Sequence, residues 1–153
     1  MSIANADQRV LGYLGRSLSL ELSAVQLYST QAKLVEIWGL TEVAGKLKAE
    51  AAEELGHAER IISRMLALGV APNASQLRPV KLGSNLQELL QANHAFEMDV
   101  VNLYEEATRY SARAGDHDSR LFFEALHAEE KEHAHHMLHW LEELQNAGAA
   151  ASV

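Results

Sequence analysis

The sequence predicts an all-α protein, an antiparallel four-helix bundle with one long crossover between the second and third helices. Three observations carry this. Four long segments place apolar residues three and four positions apart, the spacing of one face of an α-helix. The only two prolines, Pro72 and Pro79, both fall in the stretch between the second and third segments. No stretch alternates apolar and polar residues in the way a half-buried strand does.

The first helix is expected from about Asp7 to Ile37, stopped by Trp38-Gly39-Leu40. Thr41 reads as the N-cap of the second, which runs to about Leu68 and ends at Gly69. The following GVAPNASQLRPVKLGS, residues 69–84, is rich in turn formers and reads as an extended crossover. The third helix is expected from near Asn85 to about Arg113, broken by Ala114-Gly115-Asp116, and the fourth from about Asp118 to Gln145. Each is about 28 residues and so about 42 Å long. Short first and third connections with a long second one describe two antiparallel hairpins joined by a crossover.

Composition narrows the function. A net charge of −8 disfavours nucleic acid and anionic membrane as partners and suits cations. The absence of cysteine excludes disulfides, iron–sulfur clusters and thiolate zinc sites. No apolar run approaches the ~18 residues of a membrane span, and the opening MSIANADQRV lacks a signal-peptide core, so a cytoplasmic protein is expected.

The apolar stripes contain a pattern of interruptions. The first helix reads Leu11, Leu14, Leu18, Glu21, Val25, Tyr28, Ala32, Val35, and the second Leu47, Glu50, Glu54, His57, Ile61, Met65, Leu68. The third reads Leu86, Leu90, Glu97, Val101, Tyr104, and the fourth Phe123, Leu126, Glu130, His133, Met137, Trp140, Leu144. Each stripe is apolar at both ends and ionisable in the middle. A buried carboxylate costs several kcal/mol unless it is paired or coordinates something. No lysine or arginine lies on these stripes, which leaves bound cations as the simplest compensation.

Spacing supports a metal site independently. Glu21 to Glu54 and Glu97 to Glu130 are both 33 residues, and Glu54–His57 and Glu130–His133 are both i,i+3 pairs that share a helix face. The whole set repeats at 76 residues, with ELSAVQLY at 21–28 answered by EMDVVNLY at 97–104 and AEELGHA at 52–58 by AEEKEHA at 128–134. The chain therefore reads as a duplicated helical hairpin. One Glu from each of two helices, with a Glu-x-x-His from each of the other two, is the donor set of ferritin-like di-iron carboxylate bundles. Four glutamates balance two divalent ions, and carboxylates with imidazoles suit iron or manganese.

The phrases GRSLSLELSAVQLY, EELGHAERII and FEALHAEEKEH, with APNASQL in the crossover, resemble the bacterioferritins over nearly the whole chain. The resemblance implies a ferritin-like bundle over residues 1–148, a short tail at 149–153, and an iron-storage ferroxidase that oxidises Fe²⁺ with O₂ at a di-iron centre within the subunit. It implies that Glu21 and Glu97 are terminal ligands, that Glu54 and Glu130 bridge two irons, and that His57 and His133 bind one iron each. Tyr28 matches a family tyrosine that can donate an electron. Two departures stand out. The methionine that binds haem between family protomers is replaced by Leu55, so haem is not expected unless a partner subunit supplies it. Only AAASV follows Gly148, so the family's fifth helix is absent or vestigial. A homo-oligomer is expected, as a 24-subunit cage or mixed with a haem-bearing paralogue. The alternative is a ferritin-like oxidase or catalase, with iron or manganese, that stores nothing.

Glu50 and Glu53 adjoin the ligand positions, with Glu53 expected on a solvated face. His94, His117, His127, His135, His136 and His139 do not converge and are expected mostly at the surface. His135 and His139, at i,i+4, are spaced so that they could share a stray metal ion.

Overall fold

The computed structural model describes residues 6–73 and 76–151, with side chains as far as Ala147. The described residues form four α-helices and no strand: α1 (Gln8–Ile37), α2 (Thr41–Ala67), α3 (Leu86–Arg113) and α4 (His117–Ala151). They fall into two compact units, Met1–Lys81 and Leu82–Val153. The first holds the hairpin α1–α2 and the second the hairpin α3–α4, so each unit is one copy of the 76-residue repeat.

Three helices end in the same way. Gly39, Gly69 and Gly115 have φ of 83°, 78° and 73°, a left-handed conformation that costs glycine nothing. After each glycine the chain reaches back to cap the helix it has left. Leu40 N–H donates to Val35 O, Val70 N–H to Met65 O, and Asp116 N–H to Ser111 O, each at 2.9 Å. These are Schellman turns, which satisfy carbonyls that the helix end would leave open.

The N-termini vary more. Asp7 caps α1 by accepting from Arg9 N (2.8 Å) and Val10 N (3.2 Å). Asn85 caps α3 through Glu88 N, while Glu88 Oε2 accepts from Ser84 N, both at 2.9 Å. Asp116 accepts from Ser119 N at 3.1 Å and from Ser119 Oγ at 2.7 Å at the start of α4.

Two boundaries differ from the sequence reading. Thr41 is not the cap of α2 but its first residue; Leu40 holds the cap position, without a side-chain bond. The tight turn explains this, because the residue after Gly39 already serves as the last member of the α1 cap. The fourth helix continues to Ala151, not Gln145. Alanine has the highest helix propensity, and one glycine costs only about 1 kcal/mol. The alanines at 149–151, expected in a tail, are thus helical; Ser152 and Val153 lie outside the described residues.

Within the first unit, Tyr13, Leu14, Leu18, Tyr28, Leu47 and Ile61 are at most 2% exposed. Lys48 reaches from α2 to Glu36 on α1 at 3.1 Å and holds that carboxyl below its ordinary value, with Lys33 assisting. In the second unit Leu89, Leu90, Tyr104, Phe123 and Leu126 are equally buried. The Phe123 ring stands 6.4 Å from Tyr104 and edge-on to Phe122 at 5.6 Å.

The crossover is tied to α1 by two serines. Ser19 Oγ accepts from Gln76 N at 3.1 Å, and Ser23 Oγ accepts from Arg78 N at 2.9 Å while donating to Ser19 O at 2.7 Å. Removing one such bond costs about 0.5–1.5 kcal/mol. Ser23→Ala should therefore speed hydrogen exchange at the Arg78 amide by roughly 2–10-fold while leaving α3 and α4 amides unchanged. Unaltered exchange at Arg78 would show that this tie does not hold the crossover.

Candidate metal centre

Each hairpin brings together two buried glutamates and a histidine, His57 buried in the first and His133 half-buried in the second. In the first, Glu21 comes from α1, and Glu54 and His57 from α2, with residue exposures of 0%, 1% and 5%. The i,i+3 spacing of Glu54 and His57 puts both on the face that α2 turns inward, between Leu47 and Ile61. His57 Nδ1 lies 3.5 Å from Glu21 Oε2 and 3.6 Å from Glu54 Oε2.

The second hairpin repeats this arrangement. Glu97 from α3 and Glu130 from α4 are 1% and 0% exposed, between Leu90 and Tyr104 on one helix and Leu126 and Met137 on the other. His133 Nδ1 lies 3.7 Å from Glu130 Oε2. In each hairpin one ligand-type atom from every member of the trio lies within 4.8 Å of the others.

These separations are close to those of ligands that share a cation. At 3.5–3.7 Å an imidazole and a carboxylate are beyond ordinary hydrogen-bond length. Two ligands each about 2.1 Å from one ion stand about 3.0–3.6 Å apart, depending on the angle between them. The donors are also of the right kind. Two carboxylates and one imidazole per hairpin, without sulfur, match the preferences of iron and manganese.

Tyr28 is fully buried on α1, two turns beyond Glu21 on the same face. Tyr104 is its counterpart at the repeat interval beyond Glu97 and is also 0% exposed. Leu55 follows Glu54 but faces outward, 44% exposed. Glu50 is half-buried and Glu53 exposed. His117, His135, His136 and His139 are exposed and His94 and His127 half-buried, so these six stay apart from the buried trios, as expected.

The stripe reading missed Ser17 and Asn93. Both are 0% exposed, one turn before Glu21 and Glu97, and they occupy equivalent repeat positions. Ser17 Oγ donates to the Tyr13 carbonyl at 2.6 Å. The 76-residue interval was the available signal, since it pairs a small polar residue with a small polar residue at a core position.

The comparisons with known proteins agree with this construction. The ferritin-like domain family matches residues 11–147. The bacterioferritin of Rhodobacter capsulatus is 39% identical over 127 residues, 83% of this chain and 79% of that protein. The chain belongs to the bacterioferritin family of ferritin-like proteins. The bacterioferritin of Mycobacterium bovis is 32% identical over 142 residues, 93% of this chain and 89% of its own length. The 2.6 Å structure of the Rhodobacter capsulatus bacterioferritin has a metal-free dinuclear site and haem iron in a crystallographic special position. It superimposes with a TM-score of 0.88 at 35% identity over 92% of this chain and 88% of its own. The all-α, ferritin-like four-helix fold expected from the sequence is thereby the fold of this bacterioferritin-family chain.

Proposed function

We propose that this chain is an iron-storage ferroxidase in which the two hairpins combine their trios around two Fe²⁺ ions. The observation that carries the reading is the duplicated Glu/Glu/His set with all four glutamates buried, which no ordinary helical core would retain. Membership of the bacterioferritin family supports it. Glu21 and Glu97 then act as terminal ligands, Glu54 and Glu130 bridge, and His57 and His133 each complete one iron's coordination. Two Fe²⁺ neutralise four carboxylates, so the loaded site carries no net charge in its buried setting. O₂ accepts one electron from each Fe²⁺. The two positive charges that the irons gain are balanced by the reduced oxygen, and oxo or hydroxo ligands formed from oxygen and water would compete with the carboxylates for Fe³⁺ and favour its transfer to a mineral. We assign Tyr28, buried two turns beyond Glu21 on α1, as the donor of one further electron to the peroxide-level product.

The reading extends to an oligomeric shell that retains ferric iron, in the cytoplasm. No helix among the described residues is long and apolar enough to cross a membrane. The test is to add Fe²⁺ to the metal-free protein in air and follow iron and protein together through size-exclusion chromatography. Many irons per chain on a very large particle is the expected result. Iron halting at two per chain on a small oligomer would instead identify a di-iron enzyme that does not store.

Haem is not expected to be held by Leu55, whose side chain carries no donor atom. The purified protein should show no Soret band after incubation with haem, whereas Leu55→Met should gain one, because the position is exposed enough to admit a ligand. A Soret band of equal strength in both proteins would place haem elsewhere.

A further inference from the structure

The repeat that duplicates the glutamates and histidines also duplicates one tyrosine. Tyr104 follows Glu97 by seven residues, as Tyr28 follows Glu21, and both rings are 0% exposed. We propose that Tyr104 is a second electron donor, which with Tyr28 supplies the two electrons that take O₂ from the peroxide level to water. This rests on the two-iron ferroxidase reading given above and deepens it.

Divergence between the copies makes the tyrosine stand out. Leu47 answers to Phe123, Gln31 to Ala107 and Val35 to Ser111, and all six are buried. Tyr13, buried in the first hairpin, answers to Leu89 in the second. A buried tyrosine carries a hydroxyl whose desolvation phenylalanine avoids. Packing alone therefore gives no reason to keep a phenol at this position in both copies.

The position suits electron transfer to the glutamate-bound iron. Seven residues are two helical turns, a rise of about 10 Å, and they return to the same face. Phe123 precedes Glu130 on the antiparallel α4 by the same interval, and its ring stands 6.4 Å from that of Tyr104. Tyr104 thus lies at one level of its hairpin, two turns from both carboxylates. Losing an electron together with its proton leaves a neutral phenoxyl group, so no new charge is created in the interior.

Electron counting supplies the need for a second donor. Two Fe²⁺ reduce O₂ only to the peroxide level: 2 Fe²⁺ + O₂ + 2 H⁺ → 2 Fe³⁺ + H₂O₂. One tyrosine acting alone would split the O–O bond and leave an oxygen at the hydroxyl-radical level. Two complete the reduction: H₂O₂ + 2 TyrOH → 2 H₂O + 2 TyrO•, each giving one electron and its phenolic proton. The chain has no cysteine thiol to give them instead.

The test gives full-length, metal-free protein two Fe²⁺ per chain in air, with freeze-quench electron paramagnetic resonance and a peroxide assay. Tyr104→Phe and Tyr28→Phe should each lower the tyrosyl radical signal to about half that of the parent. The double variant should show no such signal and release about one H₂O₂ for every two Fe²⁺ oxidised. Tyr110, half-buried on the same helix, is the control, and Tyr110→Phe should match the parent. Redox-inert Zn²⁺ reads proximity without turnover. It should perturb the near-ultraviolet tyrosine absorption of the metal-free parent, and more weakly that of Tyr104→Phe, with equal Zn²⁺ bound and unchanged circular dichroism. Parent levels of radical and peroxide in Tyr104→Phe, alongside normal Fe²⁺ oxidation, would overturn this proposal alone. Absence of Fe²⁺ oxidation in the parent would overturn the ferroxidase reading and this proposal with it.

Discussion

Exchanging Glu54 and Glu130 together for glutamine is expected to raise the melting temperature of the metal-free protein while abolishing its rapid oxidation of Fe²⁺. Both carboxyl groups are essentially inaccessible to water, at 1% and 0% exposure. Keeping such groups charged without a cation costs several kcal/mol each, and since replacing buried ionic groups by uncharged ones of similar volume is often neutral or stabilising by about 1–4 kcal/mol, a gain of up to that size is expected. For a chain of this size that corresponds to an increase of roughly 2–15 °C. Added Fe²⁺ should raise the melting temperature of the parent by mass action and leave that of the variant unchanged. Disturbing groups that merely support metal ligands costs 10–100-fold in activity, so losing both bridging carboxylates should cost at least about 100-fold. Anaerobic calorimetry with and without Fe²⁺, followed by stopped-flow oxidation in air, reads both effects. A lower melting temperature with an unaltered oxidation rate would mean that the glutamates serve the fold and not the metal.

The largest loss of stability is expected from Phe123→Ala. This ring is 0% exposed and lies against Tyr104 and Phe122 within the second hairpin. Truncating a buried phenylalanine removes its transfer free energy and leaves a cavity, together about 3–5 kcal/mol. The melting temperature should fall by roughly 6–20 °C. Phe122, the exposed-edge neighbour of the pair, is only half-buried, and Phe122→Ala should cost less than half as much. Similar losses at both positions in thermal melts would show that the interior of this hairpin is not centred on Phe123.

The helices and the candidate ligands were legible in the sequence for one physical reason. Burial makes a charged residue on an apolar stripe conspicuous, and duplication wrote the same exception twice. Glu21, Glu54 and His57, and likewise Glu97, Glu130 and His133, could therefore be found without coordinates. Ser17 and Asn93 escaped because small polar residues at helical spacing look the same whether they face solvent or the interior. The cap of α2 was misplaced because Thr41 has the chemistry of a cap, while the preceding turn had already used the residue next to it. The end of α4 was set too early, at Gln145, because its apolar stripe stops at Leu144 while the alanines beyond continue the helix to Ala151. The ties from Ser19 and Ser23 to the crossover join residues 57 and 55 positions apart, and nothing local announces such a pairing.

The grouping of α1 with α2 and of α3 with α4 also has a consequence during synthesis. The α1–α2 hairpin lies within the unit Met1–Lys81 and is synthesised before α3 begins. A ribosome adding about 5–20 residues per second needs roughly 4–14 s to make the remainder, whereas helical hairpins form in microseconds to milliseconds. For those seconds the first repeat exists without the second. A wholly apolar stripe would leave it adhesive in a crowded cell. Glu21, Glu54 and His57 interrupt the apolar stripes of this hairpin with groups that water solvates well, so the residues proposed to hold iron are also expected to make the unfinished half less adhesive.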